Sequence, residues 1–417
     1  MIIWLINPYD AIPGEKWGYK HGMFLANALV ARGFKVIYWT SSFSHALKAQ
    51  RCDDWEDRVI NPSLTVRIVP CREYDAHVGL RRVLSLFDFA RGFLVRGWGG
   101  ERPNCLVVPS PNLIGDVFSV WLARRHKAAL VIDFRDLWPE IFVRALPRWA
   151  KRFSRQIFSP LYWMRGYVFR HASALAAVCE TYRQIAFCEA PVLMQRPNEL
   201  VYSTGVELVS FRAQMADSKH DAELLVKEQG SVWAIYAGTI GNNYDIKTLL
   251  QASVLLQVSA SHLKIVVAGD GPLRSVVMDF IAANKITNLV YVGVLDMPTL
   301  CRYYAQSDIG LSIYAPDSTV AIPAKAFDYF AAELPIVNSV EGEFEKFISD
   351  NAIGFQYCSG DPKSLADSLA AAVSDPSRLL VMKGRLGKLA PEYDREVQYT
   401  KFVDLIERVS KTSVENY

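Results

Sequence analysis

Residues 318–337, STVAIPAKAFDYFAAELPIV, hold the densest set of groups that could do chemistry. Ser318 and Thr319 lead into Pro323. Proline suits a first helical turn, where its missing N–H costs nothing. The pattern predicts an Ala-rich helix over 323–333. Its first-turn amides and dipole would attract an anion. Lys325 adds a cation in that turn. Asp328, three residues on, can accept hydrogen bonds from hydroxyls. Anion, hydroxyls and a holding loop together fit a nucleotide sugar. An amphipathic core helix with an ordinary start fits the same residues.

Two more segments offer backbone to a phosphate. GTIGNNYDIK (238–247) carries Gly238, Thr239, Gly241 and Lys247. GDGP (269–272) carries Gly269 and Asp270. Glycine permits close backbone approach, and equally it simply makes turns. Elsewhere DFRDLWPE (133–140) gathers Asp133, Arg135, Asp136 and Glu140, charges suited to substrate binding at a strand end. A solvated loop with an Asp/Arg pair also fits them.

Other chemistries find no motif. GxGxxG is incomplete, and GxxxxGK[ST], GxSxG and HExxH are missing. DDWED (53–57) reads as a charged surface patch and not as a metal-diphosphate site. No metal site or cofactor is expected, so helix starts and Lys/Arg must meet phosphate charge.

The elements that must position these groups come in two series. In the first half, apolar runs at 2–7, 34–39, 64–69, 105–110, 129–134 and 174–179 read as strands, with a helix at 21–32 stopped by Gly33. Residues 209–230 read as a linker. The series restarts with strands at 232–238, 263–269, 289–293, 309–314 and 335–339. Helices are expected at 245–257, 272–284 and 297–306, and a last one at 394–410. Alternating β and α with continuous apolar strands implies two doubly wound parallel sheets, with a cleft expected between them. Loops at the carboxyl ends of such strands hold ligands.

The chain has 417 residues and a net charge of +3, which hides an asymmetry. Residues 1–200 sum to +10 and residues 201–417 to −7. From Ile141 to Cys179 no acidic residue occurs, but Arg144, Arg148, Lys151, Arg152, Arg155, Arg165 and Arg170 do. The first five are spaced to share one helical face, and Trp149, Phe153, Phe158, Tyr162, Trp163, Tyr167 and Phe169 interleave. Arg81, Arg82, Phe87, Phe89, Phe93, Arg96 and Trp98 form a second such patch. Basic faces with aromatics suit an anionic bilayer surface. A solvated helix over a core of aromatics fits too, and no motif supports nucleic acid. Seven cysteines without CxxC spacing point to a reducing compartment. The segment MIIWLINPYD reads as a buried strand rather than a signal peptide, and no apolar stretch is long enough to span a membrane.

Five segments, in this order, resemble a known family. They are LINPYDAIPGEKWGYKHGMFLANALVARGFKV with SSFSH (41–45), DFRDLWPE, YAGTIGNNYDIKTLL, VVAGDGPLR and IPAKAFDYFAAELPIV. The chain is similar to retaining glycosyltransferases of family 4, of GT-B fold, closest to bacterial members that build O-antigen or capsular polysaccharide. The resemblance implies an acceptor-binding domain (1–205), a nucleotide-sugar donor domain (206–393) and a last helix (394–417) packing back on the first. It implies a polyprenyl-diphosphate-linked saccharide acceptor and a cytoplasmic enzyme, peripheral on the inner face of the plasma membrane. Arg144, Arg148, Lys151, Arg152, Arg155 and Trp163 would touch that membrane. Front-face displacement needs no metal. A nucleotide-sugar epimerase of the same fold, or a non-catalytic binder of nucleotide or membrane, are the alternatives.

Carried over by position, Asp328 takes the place of the second Glu of the family's Glu-x7-Glu motif, which binds ribose. Lys325 lies by the diphosphate. The backbone of 318–322, including Ser318, Thr319, Val320 and Ile322, cradles phosphate and sugar, and Gly293 flanks the base. Gly14, Lys16 and His21 belong to the acceptor loop. Arg135, Asp136 and Lys325 are the candidate catalytic residues. Val320 stands where the first Glu is expected, Arg135 where many members have His, and Glu333 where Gly is usual. The basic pair common after the first donor-domain strand is missing, with only Lys247 nearby.

Overall fold

The computed structural model describes residues 1–417 except 16–19, 76–78, 113, 144–145, 197, 218–224 and 416–417, and only the backbone of 413–415. The chain divides into two compact units. One is Met1–Thr204 with Gln398–Tyr417, the other Gly205–Val397.

The first unit is built on β1 (Ile2–Ile6), β2 (Lys35–Ser41), β3 (Phe43–Ser44), β4 (Ala49–Gln50), β5 (Glu56–Asn61), β6 (Leu64–Val69), β7 (Cys105–Ser110), β8 (Ala129–Phe134), β9 (Ala174–Ala177) and β10 (Glu199–Val201). Eight of these form a sheet in the order β10-β9-β8-β7-β1-β2-β6-β5, and β3 and β4 pair separately. All its neighbours run parallel except β5 on β6. The central strands are buried on both faces, as continuous apolar runs require. The expected surface patch at 53–57 is exposed at its aspartates and runs into β5. An edge strand tolerates charge, and its Asp57 pairs with Arg67 at 2.8 Å and Arg96 at 3.2 Å.

The second unit carries β11 (Val232–Ala237), β12 (Leu263–Ala268), β13 (Leu289–Gly293), β14 (Ile309–Ser312), β15 (Ile336–Asn338) and β16 (Gly354–Gln356). They form one parallel sheet in the order β13-β12-β11-β14-β15-β16. In each unit the strand order reverses beside the first strand, between β1 and β7 and between β11 and β14. Loops at such a reversal diverge and leave a crevice.

The linker expected at 209–230 is in part a helix, Leu208–Ala216. Leu208 and Phe211, one turn apart, bury against the core that holds Tyr304, so apolar anchoring overrides a polar composition. The last helix, Arg395–Glu415, buries Tyr399, Phe402, Val403, Ile406 and Val409 in the core of the first unit. Their spacing makes one helical stripe. None of the seven cysteines is in a disulfide.

Candidate functional site

In the second unit the candidate residues meet where β11, β12 and β13 end. Gly238, Gly269 and Gly293 follow one another across the sheet. Gly238 N–H donates to the Ala268 carbonyl at 2.8 Å, and Gly269 N–H to the Gly293 carbonyl at 2.7 Å. Ile240 N–H donates to the Asp270 carbonyl at 2.8 Å, so the two loops zip together beyond the strands. Gly269 has φ +132, and a Cβ there would stand 1.8 Å from the Gly238 carbonyl oxygen. Only glycine fits this crossing. Beneath it, the Tyr236 hydroxyl donates to the Thr239 carbonyl at 2.6 Å and the Tyr291 hydroxyl to that of Gly269 at 2.8 Å.

Lys325 lies directly over this cradle. A Cβ at Gly238 would fall 2.2 Å from Lys325 Cε and 2.3 Å from Nζ, so the bare Gly238 is what lets the cation reach the loop. Burial pushes the Lys325 pKa down, and Asp328 partly restores it. Asp328, one turn along, is pushed up to about 6 by burial, with Lys325 and then Arg395 pulling the other way. The helix itself runs Lys325–Ala331, later than expected. Pro323 precedes it, and Ala326 N–H closes a tight turn on the Pro323 carbonyl. Val320 and Ile322 are partly buried against the apolar core. Ser318 bonds within its own loop, its Oγ accepting from Val320 N–H at 3.4 Å, and Thr319 is half-buried beside it. Gly241 approaches Pro272 of the neighbouring loop. Asp270 is exposed and caps its own turn through Gly271 N–H. Lys247 is exposed on the helix Ile246–Ser259.

Sequence reasoning missed the residue that ties these loops down. Asp245 is buried and accepts hydrogen bonds from the Gly360 N–H at 2.8 Å, the Tyr357 hydroxyl at 3.2 Å and the Ser359 hydroxyl at 3.3 Å. An acid inside a glycine-rich loop was the available signal, but its partners lie more than a hundred residues away.

In the first unit a pocket of about 210 Å³ opens where β1, β7 and β8 end. Arg135 and Asp136 line it, together with Asn7, Tyr9, Arg82 and Trp138. Tyr9 and Trp138 had no site role in the sequence, and Arg82 was expected only in a basic, aromatic surface patch. The Arg82 guanidinium stands 5.8 Å from the Tyr9 ring centre and 5.4 Å from that of Trp138.

Several expected placements are corrected. His21 begins the helix His21–Ala31, where a helix was expected, but it is 1% exposed and so does not belong to an open acceptor loop. Its Nε2 meets Asp133 Oδ2 at 3.0 Å and its Nδ1 meets the Tyr399 hydroxyl, while Tyr202 donates to Asp133 Oδ1 at 2.6 Å. Burial first, and then the Arg135 cation, push the His21 pKa down, while Asp133 raises it. This network buries His21 against β8 and the last helix. Gly14 sits in an exposed turn at φ +95. Lys16 and Arg144 lie outside the described residues.

Nor do the basic residues share one helical face. They fall on separate pieces, Arg148–Lys151, Ser154–Ile157 and Ser159–His171, interrupted at Arg152–Phe153 and at Phe158. Pro147 caps the first piece and Pro160 opens the last, where their ring geometry is tolerated only at a helix start. Arg165 is buried, clamped on Glu140 at 2.7 Å and on Glu189. Phe169, Phe89 and Phe93 are core residues. In the first patch Trp149 at 70%, Trp163 at 62%, Phe153 and Ile157 stay exposed among Arg148, Lys151, Arg152 and Arg155, and in the second Phe87 and Trp98 stay exposed. Among the described residues no helix is long and apolar enough to cross a membrane, and no group of His, Cys, Asp or Glu is placed to hold a metal ion.

Two family models match the chain. "Glycosyl transferase 4-like domain" covers residues 23–189, and "Glycosyl transferases group 1" covers residues 232–375. No curated protein matches. Among solved structures, sucrose-phosphate synthase from Thermosynechococcus elongatus superposes with a TM-score of 0.70 at 13% identity, covering 99% of each chain. WaaG, a glycosyltransferase involved in lipopolysaccharide biosynthesis, gives 0.65 at 12%, covering 97% of this chain and 99% of its own. Anabaena HepE in complex with UDP gives 0.64 at 12%, covering all of both.

Proposed function

The chain belongs to the glycosyltransferases of GT-B fold, and from that premise we propose that it is a retaining enzyme using a nucleoside-diphosphate sugar. The observation that carries the donor is the glycine crossing with Lys325 laid over it. The crossing lets the two loops pack together and lets Lys325 reach them, and the lysine supplies charge where the leaving group gathers it. The bond from the sugar's anomeric carbon to the diphosphate breaks, and its electron pair leaves with the diphosphate. The acceptor oxygen attacks from the same face, and a donor phosphate oxygen takes its proton. Asp328 accepts from ribose hydroxyls. Arg135 and Asp136 orient the acceptor in the first unit, and no protein-bound metal takes part. The UDP held by HepE supports a nucleotide donor.

The acceptor we propose is a saccharide on a polyprenyl diphosphate, in the synthesis of a cell-surface polysaccharide at the inner face of the plasma membrane. Exposed Trp149 and Trp163 among basic side chains support it. Tryptophan seats at a bilayer interface and the cations favour anionic lipid. WaaG supports a surface-glycan role.

The test supplies a panel of nucleotide sugars and polyprenyl-diphosphate sugars to the pure protein, with a chelator present. Transfer with retained configuration is the expected result. No transfer and no nucleotide binding across the panel overturns the reading, and epimerised donor formed without acceptor replaces it. Co-flotation with anionic but not zwitterionic vesicles, weakened in Trp149→Ala/Trp163→Ala, tests the membrane part.

A further inference from the structure

We propose that Arg51 is a positioning residue. It meets no ligand itself, and its guanidinium fixes the course of residues 7–15, which carry Asn7, Tyr9 and Asp10 into the wall of the first unit's pocket. The inference rests on the reading above, in which Arg135 and Asp136 orient the acceptor at that pocket, and adds the residue that shapes the opposite wall.

The Arg51 side chain is 3% exposed. A guanidinium has five N–H donors in one plane and no acceptor, and here every donor is taken. Nε and Nη2 grip the two carboxylate oxygens of Glu15 at 2.7 and 3.0 Å. Nη2 also donates to the Asp10 carbonyl at 2.8 Å. Nη1 donates to the Thr40 hydroxyl at 3.0 Å and to the Ser41 carbonyl at 2.8 Å. No donor is left for a substrate, so Arg51 acts through the groups it holds.

Those groups fall into two sets. Thr40 and Ser41 end β2, a strand paired on both sides within the sheet. Asp10 and Glu15 lie on irregular chain after β1. The guanidinium therefore ties the loop to the sheet. Arg51 is itself held in place. It directly follows β4, and its N–H donates to the Ser42 carbonyl at 2.7 Å, extending the β3–β4 ladder. That hairpin is pinned to the chain beyond β6. Gln50 Nε2 donates to the Cys71 carbonyl at 2.9 Å, and the Cys71 N–H donates to Ser42 Oγ at 2.8 Å. The short ladder, separate from the main sheet, thus presents Arg51 to the loop.

The loop has other anchors that keep it folded. Ala11 and Ile12 are buried. Asn7 Oδ1 accepts from the Tyr9 N–H at 3.0 Å, and Asp10 Oδ2 accepts from the Gly22 N–H at 2.7 Å. What the guanidinium adds is direction. Glu15 Oε2 also accepts from the Ile12 N–H at 3.1 Å, so one arginine sets both ends of the stretch 10–15. Lysine is no substitute. An ammonium is a point charge, whereas the planar fork reaches carboxylate, carbonyl and strand at once. A displacement of about 1 Å in a substrate-positioning wall can cost about 100-fold in rate.

The test uses the full chain with Arg51→Lys, which keeps the charge and loses the fork. In hydrogen exchange, residues 7–15 should lose protection by about tenfold or more while β1 and β2 keep theirs. With a donor and acceptor that the wild type joins, the acceptor KM should rise about tenfold or more, and the donor KM should not move. Loss of folded enzyme lowers kcat and moves neither KM, so this split separates positioning from stability. Glu15→Gln should give the same pattern more weakly, and should add less in the Arg51→Lys background than in the wild type. Unchanged exchange over 7–15, equal loss over the strands, or an unmoved acceptor KM overturns the proposal. If Arg51→Lys melts early, Glu15→Gln decides, at a side chain that is 12% exposed. A wild type that joins no donor to any acceptor sinks the function proposed above, and the exchange measurement then still decides for or against Arg51.

Discussion

The two sheets end in different materials. Beyond β11 and β12 the second unit presents backbone, glycines crossing at distances that exclude any side chain, with one lysine on top. Beyond β1, β7 and β8 the first unit presents side chains, two aromatic rings around a guanidinium with a carboxylate beside them. A lone lysine over closely packed loops suits a ligand part common to many donors, the diphosphate. Side chains can be exchanged one at a time, and so suit the part that differs between acceptors. On the proposed function, the same topology carries a generic grip in one unit and a specific one in the other.

The sharpest way to break this contrast is Gly269→Ala. The new Cβ would meet the Gly238 carbonyl oxygen at 1.8 Å, and the backbone at φ +132 disfavours any side chain. We expect a loss of about 3 kcal/mol in denaturant unfolding and no measurable nucleotide binding by calorimetry. Asp136→Ala, at an exposed position, should change unfolding by about 0.5 kcal/mol or less while raising the acceptor KM. If the glycine variant is as mild as the aspartate one, the cradle is not backbone-built.

Lys325→Ala comes next. Removing a cation aimed at developing charge should lower kcat about 100-fold. Lys325→Met keeps the methylenes that fill the space over Gly238 and should lose as much activity with Tm unmoved. Unchanged kcat/KM in both variants would end the lysine's proposed role and leave the glycines alone as the grip.

These effects were legible to different degrees. The strands 64–69, 105–110, 129–134 and 289–293 are found where expected, because a continuous apolar run has one stable place, inside a parallel sheet. The glycine loops were legible as strand ends, but the 1.8 Å crossing was not, since it pairs positions thirty-one residues apart. His21 was misplaced because its partners come from positions 133, 202 and 399. A histidine's surroundings are tertiary, and local pattern carries no trace of them. Arg82 was read by composition as surface charge. Only the fold turns it inward. The helix at 208–216 was hidden by its polar neighbours, although Leu208 and Phe211 were its anchors.

Acid should separate the two units further. His21 has a lowered folded pKa, so its neutral form belongs to the native state. An unfolded chain takes up that proton near pH 6.5, and the first unit loses stability as pH falls through that value. Asp328 has the opposite sign. Its folded pKa of about 6 lies above the ordinary 3.8, so its contribution is full at low pH and is lost as pH rises through about 6. Lowering pH from about 7 to about 5 should therefore reduce hydrogen-exchange protection in His21–Ala31 relative to Lys325–Ala331, after correction for intrinsic rates. His21→Gln should abolish the first unit's share. Protection falling equally in both helices would remove the contrast. Donor binding through the Asp328 carboxylate should weaken over the same fall in pH, and that limb should vanish in Asp328→Asn.

The smallest effect asks whether every glycine-like position in the second unit is as strict as Gly269. Glu333 stands where the family resemblance leads one to expect glycine, and its φ is +56. That left-handed conformation costs a non-glycine residue roughly 1–2 kcal/mol. Unlike Gly269, Glu333 has room for its side chain, which reaches Arg212 at 2.8 Å. Both partners are partly exposed, so the pair returns only about 0–1 kcal/mol. Glu333→Gly should thus relieve the backbone by slightly more than it loses, and Tm should rise by a few degrees or hold. Arg212→Ala, which removes the pair but keeps the strain, should lower Tm. A fall in Tm for Glu333→Gly as large as that for Arg212→Ala would mean that the ion pair outweighs the strain. The unit's tolerance of side chains at positive φ would then rest on electrostatics and not on space. The distinction bears on the cradle itself, because at Gly269 no charge pair could compensate a carbonyl oxygen 1.8 Å away.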